Sequence, residues 1–316
     1  MAHKILLKIK NEIAKTVVGQ ENLIDSLLIG LITNGNILIE GVPGLAKTTT
    51  VNALSKALGL DFKRIQFTPD LLPSDVTGNE IYNQKTGDFD IKKGPAFTNI
   101  LLADEINRAP AKVQSALLEV MQEKQITIGE YTYPLDEPFT VLATQNPIEQ
   151  EGTYNLPEAQ LDRFMMKVIV TYNTFEEEYK IMKSIANNEK KDLKQVAKVE
   201  DILKIRNLVT KVKIDKELEK YILKLVFATR VPEKFNLKEL KDYIETGSSP
   251  RGSIELYKAS QAYALLKGRN YVNPSDIMRI APDILRHRIT LNYKAKAAGF
   301  STDKIIKKIL KTIPIP

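Results

Sequence analysis

Cysteine is absent from this chain, and histidine occurs only twice, as His3 and His287. The first absence removes disulfides, thiol nucleophiles and thiolate metal sites together. The second excludes a multi-histidine metal centre and a triad built on a histidine base. A cysteine-free composition also fits a reducing compartment. Long hydrophobic runs are missing as well. The longest apolar stretch, Leu23 to Ile32, is interrupted by Asp25, Ser26 and Gly30 and falls short of the roughly 20 residues a bilayer requires. The first residues, MAHKILLKIKNEIAK, set Lys4, Lys8, Lys10 and Lys15 among apolar positions and offer no small-residue cleavage site. They read as an amphipathic helix, not a leader. A soluble, cytoplasmic protein is expected.

What is present is ordinary globular material: 316 residues, 43% hydrophobic and 27% charged, enough for one large or two modest domains. The net charge of +7 is unevenly placed. Residues 1–175 carry 16 basic and 21 acidic groups, whereas residues 176–316 carry 30 and 18. This shift marks an expected boundary near residue 175. The lysines of the second part have no interleaved aromatics of the kind that stack nucleic-acid bases, so a solvated helical surface is the plainer reading.

The first part alternates strand-length apolar runs with helical patterns. The runs are 36–40, 62–66, 99–104, 139–144 and 167–171; helical spacing covers 48–58 and 111–123. Near-continuous apolar runs suit strands buried on both faces, and strand–helix alternation implies a mostly parallel sheet between helices, an α/β fold. Two excursions interrupt it. Residues 73–97, with a turn at Thr86-Gly87-Asp88, and residues 125–135, around Gly129-Glu130, read as hairpins. After residue 176 strand signals vanish, and the region reads as all-helical. Ser249-Pro250 and Asn273-Pro274 each mark a helix start.

The chemistry begins at Gly41-Val42-Pro43-Gly44-Leu45-Ala46-Lys47-Thr48, with Thr49 behind it. The segment follows an apolar run and opens a helix, the setting in which successive N–H groups converge on phosphate. Lys47 would reach the β- and γ-phosphates and Thr48 would hold Mg²⁺. Ala46 stands where such loops usually carry a second glycine; it allows close backbone approach provided its φ is negative. Asp104 and Glu105 end an apolar run where ligands of open α/β sheets bind: Asp104 for the metal's water shell, Glu105 to polarise an attacking water. Asn146 follows another such run and could hydrogen-bond the γ-phosphate or the water. Arg163 and Arg251 are candidates for stabilising charge in phosphoryl transfer. His287, between Arg286 and Arg288, reads as a solvated helix residue.

In order, Gly19-Gln20, GVPGLAKT, LLADEINRAP, QSALLEVMQE, ATQNP, LPEAQLDRF and GSSPRG resemble the MoxR family of AAA+ ATPases over residues 15–290. The resemblance implies ATP and Mg²⁺ as ligands. It makes Asp104 and Glu105 the Walker B pair, Asn146 sensor 1, Arg163 an arginine finger acting on a neighbouring subunit, and Arg251 sensor 2. It places Val18, Gly19 and Gln20 over the adenine. Residues 73–97 become the family's helix-2 insert, 125–135 its pre-sensor-1 hairpin, and 176–316 a helical lid hinged near 172–176. Arg108 is a further candidate for the subunit interface. A homo-oligomeric ring, commonly a hexamer, follows from a finger that serves another subunit. The family further implies chaperone-like maturation of protein complexes with a von Willebrand factor A domain partner. Three alternatives stand beside it: a DNA-remodelling helicase-like motor, a magnesium-chelatase-like motor subunit, and a nucleotide-dependent scaffold.

Overall fold

The computed structural model describes residues 2–147, 152–187 and 192–316. Two helices, α1 (Ala2–Ile13) and α2 (Glu21–Thr33), precede the alternating part: β1 (Ile37–Glu40), α3 (Lys47–Leu58) and β2 (Phe62–Gln66). A five-residue helix, α4 (Pro73–Thr77), leads into the antiparallel pair β3 (Gly78–Tyr82) and β4 (Phe89–Lys93). Then come β5 (Ile100–Asp104), α5 (Ala111–Glu123), and a second antiparallel pair, β6 (Gln125–Ile128) and β7 (Tyr131–Pro134). β8 (Thr140–Gln145), a single turn α6 (Glu158–Leu161) and β9 (Met166–Ile169) complete this part.

The five strands expected from apolar runs form one parallel sheet in the order β2-β5-β8-β1-β9. The two inserted hairpins stand outside it as separate two-stranded sheets. Period-2 geometry explains why the runs are continuous. Ile37 and Ile39 of β1 pack into one apolar cluster and Leu38 into the other; Ile100 and Leu102 against Leu101 and Ala103 repeat the division in β5. A slip of one residue would exchange the two faces. Edge strand β2 is the exception, exposing Lys63 and Arg64 at its open side.

The remaining elements are α7 (Phe175–Ala186), α8 (Val199–Val209), α9 (Lys216–Arg230), β10 (Ile244–Thr246), α10 (Pro250–Leu266), α11 (Pro274–Leu285), β11 (Thr290–Leu291), α12 (Tyr293–Ala297) and α13 (Thr302–Thr312). Both expected helix starts are present: Ser249 caps α10, accepting from the Arg251 N–H at 3.2 Å, and Asn273 precedes α11. The expectation of a purely helical second part is corrected by the β10–β11 antiparallel ladder, whose strands of 3 and 2 residues are too short to leave an alternating pattern.

α1 and α2 share one continuous apolar cluster with α8 to α11 and α13, for example Leu6, Leu27, Ile205, Leu256 and Ile306. The helical region is therefore packed on the N-terminal helices, not suspended from the 172–176 link. α7 differs: no described residue of it is buried. Among the described residues no helix is long and apolar enough to cross a membrane.

Candidate functional site

The loop from Gly41 to Ala46 leaves the C-terminal end of β1, a central strand, and enters α3. Gly41 is tied to β8 by its N–H, which donates to the Gln145 carbonyl at 3.2 Å, and a Cβ on it would meet the Val170 carbonyl oxygen at 2.9 Å. Lys47 closes the loop on itself, its Nζ donating to the Gly41 carbonyl at 2.5 Å. Burial pushes the Lys47 ammonium below its ordinary pKa, and Asp104 and Glu105 oppose that shift. The condition on Ala46 is overturned: its φ is +56° and its ψ 20°, in the left-handed region. A left-handed residue in such a turn lets successive N–H groups form an anion-binding concavity. Gln20 and Glu105, both at φ +57°, lie in the same region of backbone space. Such a conformation costs about 1–3 kcal/mol per residue; Asn34, Lys124 and Asn236 share it at the ends of helical turns elsewhere.

Asp104 and Glu105 are held by a polar net. The Thr144 hydroxyl donates to Asp104 Oδ1 and accepts from the Glu105 N–H at 2.8 Å, so one side chain of β8 orients both acids. Asp104 Oδ2 accepts from Arg64 Nε at 2.9 Å and Nη2 at 2.6 Å. Glu105 Oε2 accepts from Gln66 Nε2 at 2.7 Å and Arg108 Nη1 at 3.2 Å. Among the described residues no group of three His, Cys, Asp or Glu side chains could hold a metal by itself. One hydroxyl (Thr48) and one carboxylate (Asp104) nevertheless suit Mg²⁺, which takes its remaining ligands from water and substrate phosphates.

These residues line one cavity of about 800 Å³, together with Pro43 to Thr49, Arg64, Gln66 and the buried Asn146. Its lining also includes the apolar Val17, Val18 and the α7 residues Ile181, Met182 and Ile185, with Thr16, Asn173 and Glu178 among them. N–H donors and cations in one cavity with apolar side chains suit the chemistry of a nucleotide: phosphates at one end, base at the other. Gly41 and Val42 are not on the cavity wall, and Gly19 and Gln20 only shape it. Gln20 Nε2 donates to the Thr171 carbonyl at 3.0 Å and Asn173 Oδ1 at 2.7 Å, while Asn173 Nδ2 returns to the Val18 carbonyl at 3.1 Å. Sequence reasoning missed Arg64, Gln66, Thr144, Asn173 and the α7 face. For Arg64 and Gln66 a signal existed, since two polar residues at alternate positions of a strand point the same way.

The two arginines are elsewhere. Arg163 and Arg251 line a second cavity of about 150 Å³ with Asp162, Lys258 and Arg288, and neither lines the first. Arg251, the sensor 2 candidate, thus lies beside Arg163 and away from the phosphate loop of its own chain. Asp162 is the organiser: it accepts from Ser249 Oγ at 2.9 Å and Arg288 Nε at 2.8 Å, and pairs with Arg251 at 3.7 Å. The Arg288 side chain is fully buried and also donates to the Phe164 carbonyl at 2.8 Å and the Met165 carbonyl at 3.0 Å. His287 corrects another expectation. It is buried, with Nε2 on the Phe164 carbonyl oxygen at 3.0 Å. Burial and then the Arg288 charge push its pKa well below the usual histidine value. Its neighbours in sequence turn inward too, Arg286 onto Asp283, Asp303 and the Lys167 carbonyl, so flanking arginines did not signify solvent.

A parallel five-stranded sheet with a phosphate-loop cavity at its strand ends, followed by a helical region, defines an AAA+-type P-loop protein. Residues 36–166 match the ATPase family associated with various cellular activities (AAA), and residues 238–309 match the AAA lid domain. The chain is 45% identical over 305 residues to Chaperone MoxR1 of Mycobacterium tuberculosis, covering 96% of this chain and 81% of that protein. It is 45% identical over 315 residues to YeaC of Bacillus subtilis, covering 99% and 96%. A crystal structure of a candidate ATPase from Cytophaga hutchinsonii superposes with a TM-score of 0.94 at 55% identity, covering 100% of this chain and 96% of that one. The chain belongs to the MoxR family of AAA+ ATPases.

Proposed function

We propose that this protein hydrolyses ATP at a site shared between neighbouring copies in a homo-oligomeric ring, a hexamer, and spends the resulting motion on chaperone-like maturation of protein complexes. The single observation that carries the reading is the separation of the two cavities. Lys47, Thr48, Asp104, Glu105 and Asn146 lie on one, and Arg163 and Arg251 on the other. Phosphoryl transfer is served chiefly by positioning and charge. Two arginines grouped apart from their own phosphate loop are well placed to serve the loop of the next copy.

In this reading Thr48 and Asp104 orient Mg²⁺, which would neutralise charge on the phosphates. Lys47 leaves the Gly41 carbonyl for a phosphate oxygen. Glu105 takes a proton from the attacking water, and Asn146 fixes the γ-phosphate end. Val18 and the α7 residues Ile181, Met182 and Ile185 hold the base, with Gly19 and Gln20 setting the curve of that segment.

The client side rests on two hairpins that lie side by side, since a Cβ on Gly129 would strike the Glu80 carboxylate. They expose Tyr82, Phe89 and Tyr131. Exposed Lys85, Lys92 and Lys93 are interspersed there with exposed Glu80, Asp88, Asp90 and Glu130, so the hairpins present mixed charge and not the continuous cationic face that a phosphate backbone favours. That favours a polypeptide over DNA as the object remodelled. The relative named Chaperone MoxR1 points the same way, and a von Willebrand factor A domain partner in the cytoplasm completes the proposal by family resemblance. The test is complementation. Arg163→Ala and Lys47→Ala chains, each inactive alone, should regain ATP turnover when mixed, because some interfaces then pair an intact loop with an intact finger. Mixtures that stay inactive across all ratios refute the shared site.

A further inference from the structure

Arg64 sits on edge strand β2, and its side chain, although 47% exposed, lines the nucleotide cavity and is bound there to Asp104. Both Nε and Nη2 donate to the same oxygen, Asp104 Oδ2, and Nη2 also reaches Gln66 Oε1 at 2.7 Å. The parallel register explains the reach. Gln66 is the Cα partner of Asp104, and Arg64 lies two residues earlier on the same strand face. The third contact matters because it fixes the guanidinium plane, so that two donors meet one acceptor.

A carboxylate offers about four lone-pair sites on its two oxygens. The Thr144 hydroxyl uses one on Oδ1, and the Arg64 donors use both on Oδ2. A metal water shell that addresses Asp104 must therefore contend with Arg64 for the outer oxygen. The rival is a permanent charge, since a guanidinium does not deprotonate in a protein. Two cations that compete for one carboxylate weaken each other reciprocally.

We propose that Arg64 is a positioning residue that competes with Mg²⁺ for Asp104 and so sets the metal concentration at which the nucleotide site loads. The inference rests on the nucleotide-site reading above. The experiment titrates free Mg²⁺ against the full chain with a fixed, sub-saturating amount of a non-hydrolysable fluorescent ATP analogue, and repeats the binding in EDTA. Arg64→Gln should lower the half-saturating Mg²⁺ concentration about three- to tenfold, the range for a charge-assisted but partly solvated contact. Arg64→Lys, which keeps the charge and loses the two-pronged bond, should fall between. Binding in EDTA should be unchanged in both. An unchanged or raised Mg²⁺ half-point overturns the proposal. So does weaker binding of the analogue in EDTA, which would assign Arg64 to the phosphates. Lys47→Ala separates the two levels of the argument. If it binds the analogue like the parent chain, the nucleotide-site reading fails. If it loses binding while Arg64→Gln keeps the parental Mg²⁺ dependence, the Arg64 inference alone fails.

Discussion

Ala46 offers a stability test with a sign that the sequence pattern alone gets wrong. A glycine-to-alanine exchange in a loop ordinarily stabilises by about 0.4–1 kcal/mol, because the unfolded chain has less freedom to lose. By that rule Ala46→Gly should destabilise. At φ +56° and ψ 20°, however, the Ala46 Cβ crowds a carbonyl oxygen, at a cost of roughly 1–2 kcal/mol relative to glycine. Glycine removes that cost in the native state and restores the unfolded-state freedom, so the difference leaves a net gain of about 0.5–1 kcal/mol. For a chain of this size the melting temperature should rise by about 1–1.5 °C. Ala46→Val, which adds a branched Cβ in the same conformation, should move the other way. Urea unfolding followed by far-UV circular dichroism, with the slope checked for constancy, reads both changes. A midpoint lowered by Ala46→Gly would show that the native loop does not bear left-handed strain at this position, and the account of the loop geometry would fall with it.

Two further outcomes follow from the sites. Glu105→Gln keeps an acceptor for Gln66 and Arg108 but cannot take a proton, so ATP binding should persist while turnover falls by about 10²–10⁴-fold; undiminished turnover would remove Glu105 from water activation. His287 should make the fold acid-sensitive. Its folded pKa lies below the ordinary 6.5, so the unfolded chain binds the proton first. Its contribution is therefore complete above about pH 6.5 and is lost as pH falls towards the folded value, at up to about 1.4 kcal/mol per pH unit. Comparing urea midpoints at pH 7.5 and 5.5, His287→Gln should lose less stability on acidification than the parent chain; equal losses would refute the assignment.

The sheet was legible because its strands are covered on both faces. Burial leaves no polar positions in β1 before Glu40 and none in β5 before Asp104, and the same burial makes the first charged residue mark the ligand edge. The phosphate loop was legible for a related reason: its glycines and Lys47 act locally. What escaped depends on distance. His287 meets the Phe164 carbonyl 123 residues away, and nothing between Arg286 and Arg288 announces that contact. α7 begins with Glu176, Glu177 and Glu178 and has the look of a solvated lid helix, yet Ile181, Met182 and Ile185 wall the cavity. Their spacing would have served equally for a core.

The same distinction separates Arg251 from Lys47. A lysine following a strand-to-helix turn can reach only what the turn encloses, so sequence context determines its surroundings. An arginine at the start of α10 is placed by whatever that helix packs on, and here it packs on α2 and α11, carrying Arg251 to Asp162. Asp162 is itself fixed by the buried Arg288, whose bonds to the Phe164 and Met165 carbonyls lock the turn before β9. Arg163, one residue on from Asp162, inherits its position from that lock. The grouping of the two arginines is thus a property of the packed helical region. Ser249, the cap of α10, bonds Asp162 directly, so the start of that helix is tied to the residue beside Arg163.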